Sequence, residues 1–486
     1  MDNSEELREK MLNAAKWSTI TEIAAKIISP ITNMVLARLM VPEAFGVVAT
    51  VIMIISFAEM FTDAGFQKYL VQNEFKNSEE KYQNANVAFW TNLGIALFLW
   101  GLIALFCEPI ATFVGNPGLG MVLIIACVQL PLSSFSSIQM ALYRRDFDFK
   151  TLFLVRIVSV FIPFVISIPL AFLGFSYWSL IIGTICIQLS NTIILTVKSK
   201  WKPKLNYSVA KLKVMLSFSI WSLIEAISIW LTTWVDALII GSILSTYYLG
   251  LYKTSITMVN LITAIITAAT VPVLFSALSR LQNNSEQFNN MFYKTQRAVS
   301  ILVFPIGVGL YLYSDLATQI LLGSQWSEAS GVIGQWALTS AIMIVFGQYC
   351  SEVYRAKGRP KLSFLAQVLH LIVLVPVCIY SANHGFWMLV FARSWIRIQF
   401  VLVHFLIMKF SIGIPISNVI RNTFPTAISA IAMGFAGYFL QQIYDGIVWS
   451  LVSIATCAIF YFGLLYLFPG IRKEIVSMIG QLKKIR

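Results

Sequence analysis

The chain has 486 residues, 58% of them hydrophobic, and its mean hydropathy is +0.77. Only 12% of residues are charged, against roughly 25% for a soluble domain, and apolar runs of about 20 residues recur, which excludes a soluble globular domain. The net charge of +13 does not point to nucleic acid, because the basic residues flank apolar segments, where their natural partner is the anionic lipid of the cytoplasmic leaflet.

The runs predict an all-α integral membrane protein with about fourteen transmembrane helices. The spans fall at 17–38, 44–66, 85–107, 119–142, 151–173, 175–197 and 214–241, then at 247–275, 296–318, 331–354, 362–382, 385–408, 423–444 and 447–469. Their connections alternate in charge. Arg8, Lys10 and Lys16 precede span 1, and Lys68, Lys76 and Lys81 separate spans 2 and 3. Arg144, Arg145 and Lys150 follow span 4, and the 6–7 connection carries Lys198, Lys200, Lys202, Lys204, Lys211 and Lys213. Arg280 and Lys294 follow span 8, a cluster from Arg355 to Lys361 follows span 10, and Lys409 and Arg421 follow span 12. The tail ends in Lys483, Lys484 and Arg486. Of the intervening gaps only the first has a basic residue, Arg38. Positive charge stays in the cytoplasm, so both termini are expected there. The outer loops are short and leave no room for an extracytoplasmic domain.

The basic 6–7 connection divides the chain near its middle. Met40-Val41-Pro42-Glu43-Ala44-Phe45-Gly46 opens span 2, and Leu244-Ser245-Thr246-Tyr247-Tyr248-Leu249-Gly250 opens span 8 with a glycine at the same offset. Two six-helix lobes in parallel orientation would produce such a repeat. The expected organisation is a cytoplasmic N-terminus (1–16), an N-terminal lobe (17–197), a basic linker (198–213), a C-terminal lobe (214–408), two added helices (409–469) and a basic tail (470–486).

No enzyme motif appears. The six cysteines lie within or beside apolar runs without metal-ligand or redox spacing, and the three histidines are not spaced as a metal set. No cleavable signal peptide is evident, since the first run carries Glu22 and Lys26. Charges inside spans cost about 2.5–3.5 kcal/mol each on insertion scales, so they face a cavity or a partner. Glu22 and Lys26 share one face of span 1, either pairing with each other or leaving Lys26 to bind an anion in a cavity. In span 8, Lys253 either snorkels outward or faces the same cavity. In span 7, Glu225 and Asp236 either neutralise lysines or hold a coupling cation. Arg393, Arg397 and His404 lie within about 40° on the wheel of span 12. They form either an anion path or structural pairs with neighbouring acids. Prolines recur in the spans (Pro30, Pro131, Pro163, Pro169, Pro272, Pro305, Pro376, Pro425), where the broken backbone bonds need other partners.

Several short motifs carry a resemblance. They are Ala15-Lys16-Trp17-Ser18; Leu36-Ala37-Arg38 through Pro42 to Phe45-Gly46; Thr62-Asp63-Ala64-Gly65; Tyr143-Arg144-Arg145-Asp146-Phe147; Leu322-Gly323 with Trp326; and Ala356-Lys357-Gly358-Arg359-Pro360. With them the chain resembles the polysaccharide-exporter flippases, the Wzx-like branch of the multidrug/oligosaccharidyl-lipid/polysaccharide (MOP) superfamily, nearest to exporters of colanic- and teichuronic-acid type. The resemblance implies two six-helix lobes around a central cavity, plus two extra C-terminal helices, working by alternating access. The implied substrate is an undecaprenyl-diphosphate-linked oligosaccharide, moved across a bacterial cytoplasmic membrane for surface polysaccharide assembly. Implied partners are a polysaccharide polymerase and chain-length proteins, and the drive is a gradient of Na+ or H+ or the membrane potential. Similar lipid II flippases place cations on helices 1, 2 and 8. Lys26 and Lys253 match helices 1 and 8, while span 2 has only Glu59 and Asp63, which shifts part of a diphosphate site toward Arg393 and Arg397. Glu225 or Asp236 would be the coupling acid. The alternatives are a multidrug/cation antiporter of the same fold, a membrane-embedded polymerase or ligase, and a structural scaffold.

Overall fold

The computed structural model describes residues 28–63 and 65–472, with 17, 20, 21 and 24–26 before them. Glu22 lies outside the described residues. Residues 28–39 are helical. Among the described residues, thirteen helices are long and apolar enough to cross a membrane, and they coincide with spans 2 to 14. This is the outcome a lipid solvent demands, because a helix satisfies its backbone groups within one segment.

The chain forms two compact units, one ending at Lys253 and the other beginning at Thr254. In the first, α1 (Pro42–Asp63) is followed by the short α2 (Phe66–Gln72), then α3 (Ser78–Leu105) and the short α4 (Cys107–Phe113). Next come α5 (Gly120–Ala126), α6 (Gln129–Arg145), α7 (Phe149–Val165), α8 (Ser167–Phe172) and α9 (Tyr177–Lys198). The unit closes with α10 (Val209–Ile243) and the start of α11 (Thr246–Arg280). Spans 4 and 5 are each interrupted just before a proline. Pro131 has no N–H for the Cys127 carbonyl, which instead accepts from Leu130 N at 2.9 Å. Pro169 sits similarly just after the break at Ile166.

The basic 198–213 connection is pinned to this unit. Trp201 is buried against Phe89, and its indole N–H donates to Asn86 Oδ1 at 3.0 Å. The same oxygen accepts from Lys204 N. Beyond it, α10 packs on α1, with Trp230 Nε1 donating to Ser56 Oγ at 3.0 Å. The division into compact units therefore falls past this connection, inside α11.

In the second unit, α12 (Ser285–Leu312), α13 (Ser314–Leu321), α14 (Ala329–Met343), α15 (Tyr349–Ala356), α16 (Lys361–Ala382) and α17 (Phe386–Ile407) precede α18 (Ile416–Gln441) and α19 (Ile447–Tyr466). Five π-helical residues, Ile344–Gln348, join α14 to α15. Here α12 packs on α14 and α18, α16 on α17, and α18 on α19.

The motif residues of the loops after spans 4 and 10 are structural fasteners. Arg145 donates to the carbonyls of Leu70, Val71 and Asn73 at 2.9, 3.2 and 2.6 Å, closing the open end of α2. Asp146 pairs with Lys81 at 3.1 Å. In the second unit Arg359 donates to the Ser411 carbonyl at 2.7 Å, tying span 10 to span 12.

The repeat glycines meet each other's turns. A Cβ on Gly46 would strike the Thr246 carbonyl, and one on Gly250 would strike the Pro42 carbonyl. The starts of α1 and α11 therefore touch backbone to backbone in a reciprocal pair. Asn116 fastens the contact, donating to Thr50 Oγ1 at 2.9 Å and accepting from Thr246 Oγ1 at 2.6 Å. Gly309 also sits inside a helix but has open space around it. Helix propensity alone favours alanine over glycine by about 1 kcal/mol at all three sites. Gly250→Val should instead lose about 1–3 kcal/mol, because a rigid carbonyl must move, while Gly309→Ala should be neutral or stabilising; thermal unfolding in detergent reads both.

Candidate functional site

Intramembrane charge gathers at two places. In the first unit, α10 and α11 are antiparallel neighbours joined at Leu244-Ser245. Residues equally far from that turn come together. Asp236 and Lys253 each lie eight residues from it, roughly 12 Å along their helices. Asp236 is only 2% exposed. Its Oδ2 accepts from the buried Tyr252 hydroxyl at 2.8 Å. Its Oδ1 accepts from Ala237 N at 2.7 Å and lies 3.9 Å from Lys253 Nζ. The ammonium also donates to the Thr233 carbonyl at 3.0 Å and rests 4.1 Å from the Trp234 ring centre. Lys253 is thus held by a carboxylate, a carbonyl and an indole face.

In the second unit, Trp336 of α14 carries two guanidinium groups. Arg397 lies 4.1 Å and Arg393 5.1 Å from its ring centre. Arg397 Nη1 donates to Ser340 Oγ at 2.8 Å. Arg393 is buried, and Trp336 Nε1 donates to Asn260 Oδ1 at 3.3 Å. Beside them Trp395 Nε1 donates to Gln335 Oε1 at 3.0 Å. His404 leaves this group. It is buried, with Nδ1 3.1 Å from the Tyr354 hydroxyl and its ring against Tyr354 and Phe400. The stripe expected on span 12 therefore divides into an arginine pair on Trp336 and a histidine within an aromatic stack.

Of the remaining expected residues, Lys26 is helical and half-buried, and Glu225 is exposed on α10. Glu225 and Asp236, expected on nearly one face, occupy different environments because only Asp236 points into the α10–α11 contact.

The sequence reading missed a polar cavity of about 480 Å³ inside the first unit. Ser56 and Glu59 of α1, Asn92 of α3, Ser133 and Ser137 of α6, and Gln188 of α9 contribute to its wall. Asn92 Nδ2 donates to Ser137 Oγ at 2.8 Å, and Ser134 Oγ donates to Asn92 Oδ1 at 3.2 Å. Hydroxyls, amides, the Glu59 carboxylate and the Lys68 ammonium form a surface suited to sugar hydroxyls. The available signal was Ser133-Ser134-Phe135-Ser136-Ser137, a hydroxyl run within an apolar span. A cavity of about 510 Å³ in the second unit is lined almost wholly by apolar groups of α12, α13 and α19 and offers nothing to a phosphate.

Among the described residues, no group of three or more histidine, cysteine or acidic side chains could hold a metal ion.

This fold is that of MOP-superfamily transporters. It matches a lipid II flippase, MurJ, in an inward closed conformation, with a TM-score of 0.74 at 17% identity over 93% of this chain and 98% of that one. It also matches an inward-facing multidrug resistance MATE transporter, with a TM-score of 0.66 at 13% identity over 84% and 99% of the two chains. Residues 35–331 match the family described as "Polysaccharide biosynthesis protein", and the chain belongs to that family. Its relatives include the succinoglycan biosynthesis transport protein ExoT of Rhizobium meliloti, 25% identical over 79% of this chain and 76% of that protein. The lipopolysaccharide biosynthesis protein WzxC of Escherichia coli is 22% identical over 78% and 76%. The teichuronic acid biosynthesis protein TuaB of Bacillus subtilis is 20% identical over 74% of each chain. The chain is a multi-pass membrane protein of this family.

The Asp236–Lys253 pair should show coupling in a double-mutant cycle. Lys253→Met leaves a buried carboxylate without its cation, and adding Asp236→Asn removes that carboxylate's charge. The double variant should be more stable than the sum of the single losses by about 1–3 kcal/mol; additive melting-temperature shifts in detergent would show that the two groups do not interact.

Proposed function

We propose that this protein is a flippase carrying an undecaprenyl-diphosphate-linked oligosaccharide from the cytoplasmic to the outer leaflet of a bacterial inner membrane, for surface polysaccharide assembly. The observation that carries the reading is the way the cations are held. Lys253, Arg393 and Arg397 all rest on indole faces. A cation–π contact contributes about 0.5–2 kcal/mol, whereas a charge-assisted bond to a phosphate is shorter and stronger. Such cations are positioned but releasable, as a transient diphosphate site needs. Lys26 joins them in this reading. The hydroxyl-rich cavity of the first unit supplies chemistry for the sugar. The prenyl chain stays in the surrounding lipid.

Asp236 is the coupling acid in this scheme. While it is ionised it competes with the diphosphate for Lys253. A proton or Na+ arriving at Asp236 takes over the ammonium's role and frees Lys253 for substrate. Substrate binding and cation uptake are then linked, which lets an ion gradient or the membrane potential drive alternating access. Glu225 is the second candidate for this role. Both termini face the cytoplasm, and the product passes to a polysaccharide polymerase and chain-length partners. A cation antiporter of the same fold would need a predominantly acidic cluster, whereas the second-unit cluster is built on two arginines.

A Lys26→Ala, Lys253→Ala double variant at normal abundance should lower polymer export about 100-fold or more, since each of the two charged hydrogen bonds contributes about 1.5–3 kcal/mol. Undiminished export would remove these lysines from the site. Asp236→Asn should retain substrate binding while export loses its dependence on the ion gradient, measured in reconstituted vesicles with and without an imposed gradient.

A further inference from the structure

The polar cavity of the first unit has an apolar neighbour. A cleft of about 660 Å³ lies between α1, α3 and α10, with α4 at one end. Phe57 and Phe61 of α1, Phe113 of α4, Trp230 of α10, and Phe106 between α3 and α4 form much of its wall. The rest is aliphatic apart from Met53. The rings are continuous, with Phe57 4.9 Å from Trp230 and 5.2 Å from Phe61 between centres. The Trp230 N–H donates to Ser56 Oγ at 3.0 Å, and Ser56 lines the polar cavity. Trp230 and Ser56 thus stand where the two spaces adjoin. The polar space lies nearer the cytoplasmic end expected from loop charge. On α3 its Asn92 precedes Leu99 and Leu102 of the cleft, and on α10 its Ala226 precedes Trp230 and Leu238.

A polar and an apolar space side by side fit an amphiphile, and the cation beside the cleft indicates which. Trp230, Trp234 and Leu238 stand at i, i+4 and i+8, so they share one face of α10. Trp230 and Leu238 line the cleft. Trp234, about 6 Å along the helix from each, carries the Lys253 ammonium 4.1 Å from its ring centre. A cation assigned above to a diphosphate therefore borders the cleft. The apolar cavity of the second unit has no charged residue in its wall. The cleft is also open at its edge, where Phe57, Phe106 and Phe113 are 43%, 50% and 69% exposed. A wall without polar groups gives water no partner, so hydrocarbon fills the space. An isoprenoid suits the aromatic wall better than a saturated acyl chain. Its methyl branches and double bonds make it stiff and knobbed, and such a surface packs into the gaps between rings.

We propose that this cleft seats the isoprene units next to the diphosphate, while the remainder of the polyprenyl chain stays in the surrounding lipid. The site depends on the flippase reading. On that reading the first unit contacts all three parts of its substrate: sugar in the polar cavity, diphosphate at Lys253 and prenyl chain in the cleft.

The test titrates the full chain, in nanodiscs of phosphatidylcholine, with farnesyl diphosphate by isothermal calorimetry, and empty nanodiscs supply the background. Leu102→Trp fills the cleft from α3 and Ile54→Trp fills it from α1. Each should weaken binding about 30-fold, the contribution of roughly two to three buried methylene groups. Neither should change the melting temperature or the binding of inorganic pyrophosphate. Leu302→Trp, in the apolar cavity of the second unit, should bind farnesyl diphosphate as the parent chain does. Dodecyl diphosphate, of equal chain length without methyl branches or double bonds, should bind the parent chain more weakly than farnesyl diphosphate. Undiminished affinity in both cleft variants, an equal loss in Leu302→Trp, or equal affinity for dodecyl diphosphate would each overturn the proposal. If the cleft fails while lipid-linked sugar still crosses the membrane in cells, the flippase reading stands without it. If farnesyl diphosphate binds in the cleft but depletion leaves the sidedness of lipid-linked sugar unchanged, the flippase reading falls and the binding site remains.

Discussion

Asp236 cannot stay ionised within a hydrocarbon slab unless its charge is answered, and the α10–α11 hairpin exists in a form that answers it. The turn at Leu244-Ser245 brings Tyr252 and Lys253 opposite the carboxylate. The close start of α11 on α1, through Gly250 and Gly46, holds that hairpin against the rest of the first unit. An ion pair at 3.9 Å, with one tyrosine hydroxyl donating to the carboxylate, is a modest arrangement. A tighter pair would stabilise the resting state more and would also trap the lysine. The ammonium's second attachment, the face of Trp234, has the same character.

The second unit meets the same need with different residues. Its two guanidinium groups share one indole, and Arg397 also donates to the Ser340 hydroxyl. Arginine stays charged under all conditions, so it suits permanent anion attraction, while lysine opposite an aspartate suits a switch. One unit of the chain thus carries the titratable pair and the other the fixed charge. That division is compatible with substrate binding and ion coupling being separate contributions to one cycle.

The membrane spans were legible because lipid imposes a length of about twenty apolar residues, and the thirteen candidate spans among the described residues follow it. The aligned glycines at 46 and 250 were legible as a repeat, yet nothing local revealed that each would sit against the other's turn. Lys253 and Asp236 were each found as an out-of-place charge. Their pairing depended on the short turn between spans 7 and 8, whose length the sequence does show. The arginines of span 12 were found by helical periodicity, but Trp336 belongs to another helix, so the ring that holds them was not. His404 satisfied the same periodicity and still went elsewhere, because a wheel gives an angle and not a neighbour. The cavity around Asn92 and Ser137 was missed for a similar reason: its polar groups come singly from several spans and become a site only after packing.

The most direct measurement is the sidedness of undecaprenyl-diphosphate-linked oligosaccharide in cells depleted of this protein, read with a membrane-impermeant sugar probe. The flippase account requires the lipid-linked sugar to accumulate on the cytoplasmic face and to vanish from the outer one. Unchanged sidedness together with altered polymer length or attachment would contradict it and place the protein after the transbilayer step.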